Sequence, residues 1–124
     1  MARSERSHIG ALVAGILITG TGSWAFLAPQ SFYDNVATFP PYNEHLLHDA
    51  GSFLTGLGVA FFLTMWWRSA LTIVFGANAV AAILHAISHI IDRDLGGKAS
   101  DPWLLSAVAI VLTAVTVRRL ASER

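Results

Sequence analysis

The chain contains no cysteine, which removes disulfide frameworks, thiolate metal sites and cysteine nucleophiles together. Charge is almost as scarce. Only 13% of the 124 residues are Asp, Glu, Lys or Arg, about half the share in a soluble domain. Eight basic residues are balanced by eight acidic ones without forming a basic stripe, so no nucleic-acid partner is expected. There is also no Gly-rich phosphate loop, no Gly-x-Ser-x-Gly elbow and no Ser–His–acid order that helical spacing would assemble. Enzyme chemistry of those kinds is excluded.

Apolar sequence fills the space. A bilayer core about 30 Å thick takes roughly 20 apolar residues to cross as a helix. Four stretches meet that need, at about 9–28, 44–67, 70–92 and 102–119. Lipid offers backbone groups no hydrogen-bond partner, so such spans must be helical. The expectation is all-α: a four-transmembrane-helix bundle forming a single integral membrane domain over residues 1–124. The basic opening "MARSER", an apolar run and the small-residue "AFLA" together have the look of a secretory leader. The run is nonetheless expected to be retained as the first span.

Lys and Arg gather on the cytoplasmic side of membrane proteins. Four spans place both ends and the connection after the second span on one side. That side holds Arg3, Arg6, Arg68, Arg118, Arg119 and Arg124, against Arg93 and Lys98 opposite. Both termini are therefore expected in the cytoplasm, with the chain multi-pass in the inner or plasma membrane and the lipid bilayer its first partner. The longest connection, "PQSFYDNVATFPPYN" from Pro29, is broken by Pro40–Pro41 and has four aromatics suited to the outer interface. Asn43 suits a helix N-cap, and Pro102 suits the first turn of the fourth span. Arg68 marks a very short turn, from which the second and third spans are expected to run as an antiparallel hairpin.

Against this apolar background, "YNEHLLHDAG" and "ILHAISHIIDRD" hold four of the five histidines. In the second span His45, His48, Asp49 and Ser52 fall within about a 100° arc, with Glu44 just before them. In the third, His85, His89 and Asp92 are spaced i, i+4, i+7, with Ser88 beside them and Asn78 seven residues before His85. Counted from Arg68, His48 and His89 lie 20 and 21 residues away, which places them in one layer near the outer surface. Ser52, Gly56 and Ala60 form a small-xxx-small row that would let the third span approach. If it does, the two polar stripes meet.

Imidazole is the commonest ligand for zinc, copper and iron, and two histidines at i, i+4 can grip one ion. The candidate metal ligands are His45, His48, Asp49, His85, His89 and Asp92, with Glu44, Ser52, Asn78 and Ser88 as further or supporting groups. With neither thiolate nor methionine nearby, Zn(II), Cu(II) or non-haem Fe is expected rather than Cu(I). Bis-histidine haem fits less well, because a tight hairpin leaves little room for a porphyrin and the other histidines without a role. The plainer alternative is that the histidines make interhelical hydrogen bonds.

"APQSFYDN", then "NEHLLHDAG", an apolar span and "HAISH" together resemble a family of small four-helix bacterial membrane proteins. Its pattern is Asn-Glu-His-Leu with Asp-x-Gly at the head of the second helix and His-x-x-x-His late in the third. The matching residues are Pro29, Phe32, Asn43, Glu44, His45, Leu46, Asp49, Gly51, His85 and His89. The likeness covers about the first three helices, and a broader one to DoxX-like membrane proteins is weaker. His48 departs from the family, whose members are expected to carry a basic residue there. The resemblance implies Glu44, His45, Asp49, His85 and His89 as the site and supplies no reaction.

Three functions follow from this pattern. The first is a membrane protein with a His/carboxylate metal site between the second and third spans, for redox or metal handling. The second is a small accessory subunit of a larger membrane enzyme complex; a homo-oligomer is the other assembly open to the chain. The third, a small multidrug-type exporter, calls for a buried acid midway along the first span, where only Thr19, Thr21 and Ser23 are polar.

Overall fold

The computed structural model describes residues 2–123, with the backbone alone for residues 2–6. Among these residues all regular structure is helical: α1 (Ala2–Leu27), α2 (Pro29–Asn35), α3 (Glu44–Leu63), α4 (Leu71–Ile91) and α5 (Asp101–Ser122), with a 3₁₀ turn at Arg68–Ala70. Four helices are long and apolar enough to cross a membrane, over Ser7–Leu27, Glu44–Leu63, Arg68–Ile91 and Asp101–Ser122. At most 33% of the apolar window of any of them is buried. Side chains such as Leu17, Phe53, Ile73, Leu84 and Ile110 are more than 60% exposed. Apolar faces turned outward on this scale suit lipid rather than water, so the chain is compatible with a multi-pass membrane protein.

The first of two compact units contains α1, α2 and α3. Asn43 caps α3, its side-chain oxygen accepting from the Leu46 N–H at 3.1 Å. The packing of α3 on α1 is set by glycine. A Cβ on Gly51 would lie 2.7 Å from the Gly22 carbonyl oxygen and from the Phe26 nitrogen. On Gly58 it would run into the backbone and hydroxyl of Thr19, and on Gly22 into the backbone of Thr55. The small residues that α3 packs against α1 are thus Gly51, Thr55 and Gly58. The row expected to serve helix approach lies elsewhere: Ser52 and Gly56 are exposed, and a Cβ on Gly56 would meet nothing within 4 Å.

Two boundaries differ from the sequence expectation. The second span was expected to reach residue 67, yet α3 stops at Leu63. There the Thr64 hydroxyl donates to the Phe61 carbonyl at 2.6 Å, and the Met65 and Trp66 N–H groups bond three residues back. Bonds of that spacing tighten the last turn and end the helix. The long connection from Pro29 also begins with a helix. Pro29 lacks an N–H and interrupts α1, but its fixed φ suits the first position of α2. Phe32 of α2 is buried edge-on against Trp24, with ring centroids 5.5 Å apart.

The second unit contains the segment Val36–Pro41 with α4 and α5. At one end the buried Thr72 hydroxyl donates to Glu123 and accepts from Arg119 Nε at 2.8 Å. Further along, a Cβ on Gly76 would be 3.5 Å from the Thr116 methyl, room enough for an ordinary contact. At the other end, the turn between them passes through Gly96 and Gly97, with φ of +146° and +79°. These are conformations that L side chains avoid. The Gly97 N–H donates to the Thr38 carbonyl at 3.0 Å, tying this turn to the 36–41 segment.

Candidate functional site

The polar residues at the head of α3 pair one turn apart. His45 Nε2 lies 3.6 Å from Asp49 Oδ2, and His48 Nε2 lies 4.0 Å from Glu44 Oε1. The His45 side chain is 86% exposed. His48 is partly covered by Phe26, whose ring centroid is 5.2 Å away. The Ser52 hydroxyl is engaged with the His48 carbonyl at 2.8 Å. Just before the helix, Tyr42 stands edge-on to Tyr33. Lost hydration, then the Glu44 and Asp34 carboxylates, push its phenol above the ordinary value, so it stays neutral at physiological pH.

A closer grouping forms in the second unit. His85 and His89 follow each other by one turn on α4, and their Nε2 atoms stand 3.1 Å apart. His89 Nδ1 faces Asp101 Oδ2 of α5 at 3.9 Å, with both side chains largely covered, at 17% and 15% exposure. Asp101 is held by the Lys98 backbone N–H, which donates to the same oxygen at 2.8 Å. Phe39 stands edge-on to His89, at 5.2 Å and 89°, and so fixes the ring from another side. The contacts leave His89 little freedom.

Asp101 was not among the residues that spacing selects. The candidate acid on the α4 face, Asp92, lies just past Ile91, where the helix ends, and is half-buried. Its backbone N–H bonds the Ser88 carbonyl at 2.8 Å. Ser88 gives its own hydroxyl to the His85 carbonyl at 2.8 Å. Asn78 is buried nearly three turns earlier, donating to the Val74 carbonyl at 3.0 Å. Ser88 and Asn78 thus spend hydrogen bonds on their own helix.

The distance between the two imidazoles has chemical meaning. With metal–nitrogen bonds of about 2.0–2.1 Å, two ligands on one ion stand about 2.9 Å apart at a right angle and about 3.3 Å apart at a tetrahedral one. The observed 3.1 Å lies between them. A carboxylate at the far nitrogen is the usual companion of a ligating histidine, fixing its tautomer and orientation. Among the described residues, no three or more His, Asp or Glu side chains gather into a finished ligand set.

Beside His89 opens a cavity of about 550 Å³. Ile90 and Trp103, from the last turn of α4 and the first turn of α5, line its apolar part, with Ser106 one turn deeper. Arg93, Asp94 and Lys98 line it from the turn between the helices. No protein-family model, curated protein or solved structure matches the chain.

Proposed function

We propose that this chain is a multi-pass protein of the inner or plasma membrane, with both ends cytoplasmic, that binds a transition-metal ion through His85 and His89. Zn(II), Cu(II) and non-haem Fe are the ions that an imidazole pair backed by carboxylate suits. The observation that carries the reading is the 3.1 Å separation of the two Nε2 atoms, with Asp101 beside the free nitrogen of His89. Water or further side chains complete the coordination. Asp92, in the same unit, is the protein group to test for that part.

The competing reading is an accessory subunit whose histidines only clamp helices together. It has less support in this unit. The 3.1 Å contact joins two residues of the same helix and so clamps no second helix to it.

Elemental analysis with an absorption spectrum on gently extracted protein tests the proposal. The expected result is near-stoichiometric zinc, copper or iron that is absent from His85→Ala and His89→Ala. Wild-type protein that carries no metal and takes up neither Zn(II) nor Cu(II) in titration rejects it. Metal-free protein that co-purifies with a large membrane enzyme favours the accessory subunit.

A further inference from the structure

Helical spacing puts His85 and His89 on one face of α4, yet it does not set how each imidazole is turned. The last torsion of histidine is broad, so a ring that is to hold an ion in a fixed place needs support from outside its own helix. Asp101 approaches His89 on the Nδ1 side. Phe39 stands edge-on to the same ring, at 5.2 Å and 89°. It belongs to neither α4 nor α5 but to the Val36–Pro41 segment, which packs in the same unit as both.

That segment fits closely against the turn between the two helices. The Gly97 N–H donates to the Thr38 carbonyl at 3.0 Å. A Cβ on Gly97 would lie 2.7 Å from two atoms of the Phe39 ring. On Gly96 it would lie 2.7 Å from the Thr38 carbonyl oxygen and 2.9 Å from Pro40 Cδ. Phe39 is thus held between a turn that leaves no space for a side chain and the ring of His89. The segment itself is only lightly covered: Val36 and Pro40 are exposed, and Ala37, Thr38 and Phe39 are half-buried. A short stretch of that kind opens at less cost than the helices it lies on.

We infer that Phe39 is a positioning residue for the metal pair, and that residues 36–41 form a strap whose docking retains the ion and whose undocking releases it. The inference rests on the metal reading of His85 and His89. Phe39 has no donor atom and acts only through His89. With the strap docked, the His89 ring is held where its Nε2 stands 3.1 Å from that of His85, and the ion meets two fixed ligands. With the strap undocked, His89 is free to turn away and the ion keeps His85 alone of the pair. Linkage then requires reciprocity: the factor by which the docked strap strengthens ion binding is the factor by which the ion strengthens docking.

Two measurements on the full chain in mild detergent test this together. Zn(II) affinity is read by competition with a chromophoric chelator, using Cu(II) where zinc is not taken up. Hydrogen–deuterium exchange is followed in peptides covering 36–41 and 96–98, with and without the ion. Phe39→Ala is expected to bind with unchanged stoichiometry and about tenfold lower affinity, at the low end for outer contacts to a metal ligand. In wild type the ion should slow exchange of those peptides by about the same factor, an effect that Phe39→Ala abolishes. Phe39→Leu, which keeps most of the side-chain volume, should fall between the two. Gly58→Ala, which loosens α3 from α1 instead, should retain wild-type affinity. Equal weakening in Gly58→Ala would reduce the effect to general destabilisation and overturn the inference. Wild-type affinity in Phe39→Ala with its helical circular dichroism intact overturns it too, as does wild-type exchange that the ion leaves unchanged. In each of these cases the metal reading survives, whereas a wild type that binds neither ion ends both.

Discussion

His85 and His89 are legible in the sequence because helical periodicity alone puts residues four apart on one face. Asp101 is not legible. It lies twelve positions beyond His89, and it reaches that ring through a turn built on two positive-φ glycines and a bond to Thr38. Asp92 follows directly on Ile91, the last residue of α4, and its N–H still bonds four residues back to Ser88. Asp101→Asn is therefore expected to lower metal affinity by about 10–100-fold while stoichiometry at saturation is kept, as read by competition with a chromophoric chelator. Asp92→Asn, in the same titration, tells whether the acid of the periodic face contributes: a comparable loss would place Asp92 in the ligand set. Because imidazole binds metal only when neutral, affinity should fall as pH drops from 7.5 to 5.5. A flat profile over that range would speak against histidine ligands. At the head of α3, Asn43→Ala should cost about 1 kcal/mol, measured by denaturant titration, through loss of its bond to the Leu46 N–H.

Among the elements, α3 offers two rows of small residues, and composition cannot tell which one packs. Ser52, Gly56 and Ala60 look as suitable as Gly51, Thr55 and Gly58. The choice depends on what α1 presents, namely Gly22 opposite Gly51 and Thr55, and Thr19 opposite Gly58. Gly58→Ala is expected to destabilise the protein by about 2 kcal/mol or more, since overpacking a close backbone contact forces the helices apart. Gly56→Ala should be neutral or stabilising by up to about 1 kcal/mol, from helix propensity alone. Unfolding both variants in mixed micelles by sodium dodecyl sulfate checks the contrast. Equal effects would remove the distinction between the rows. The end of α3 carries the same lesson: "LTMWWR" is apolar enough to continue the span, but local i−3 bonding at Thr64 to Trp66 stops it.

For the whole molecule, the absence of cysteine turns topology into a clean measurement. On the proposed orientation, Lys98→Cys in intact cells should react with a membrane-impermeant maleimide, whereas Arg68→Cys should react only after permeabilisation. The reverse pattern would invert the orientation expected from six basic residues on one side against two on the other. The sequence by itself determined four helices long and apolar enough to cross a membrane, because a crossing demands about 20 apolar residues and nothing in tertiary packing alters that count. The helical class follows for the same reason: unpaired backbone has no solvent partner in hydrocarbon. Only the tertiary structure decided which glycines touch, that Phe39 and Asp101 flank His89, and that a cavity opens between the ends of α4 and α5. Those features depend on residues far apart in the chain meeting through side-chain shape and loop geometry, which no local periodicity encodes.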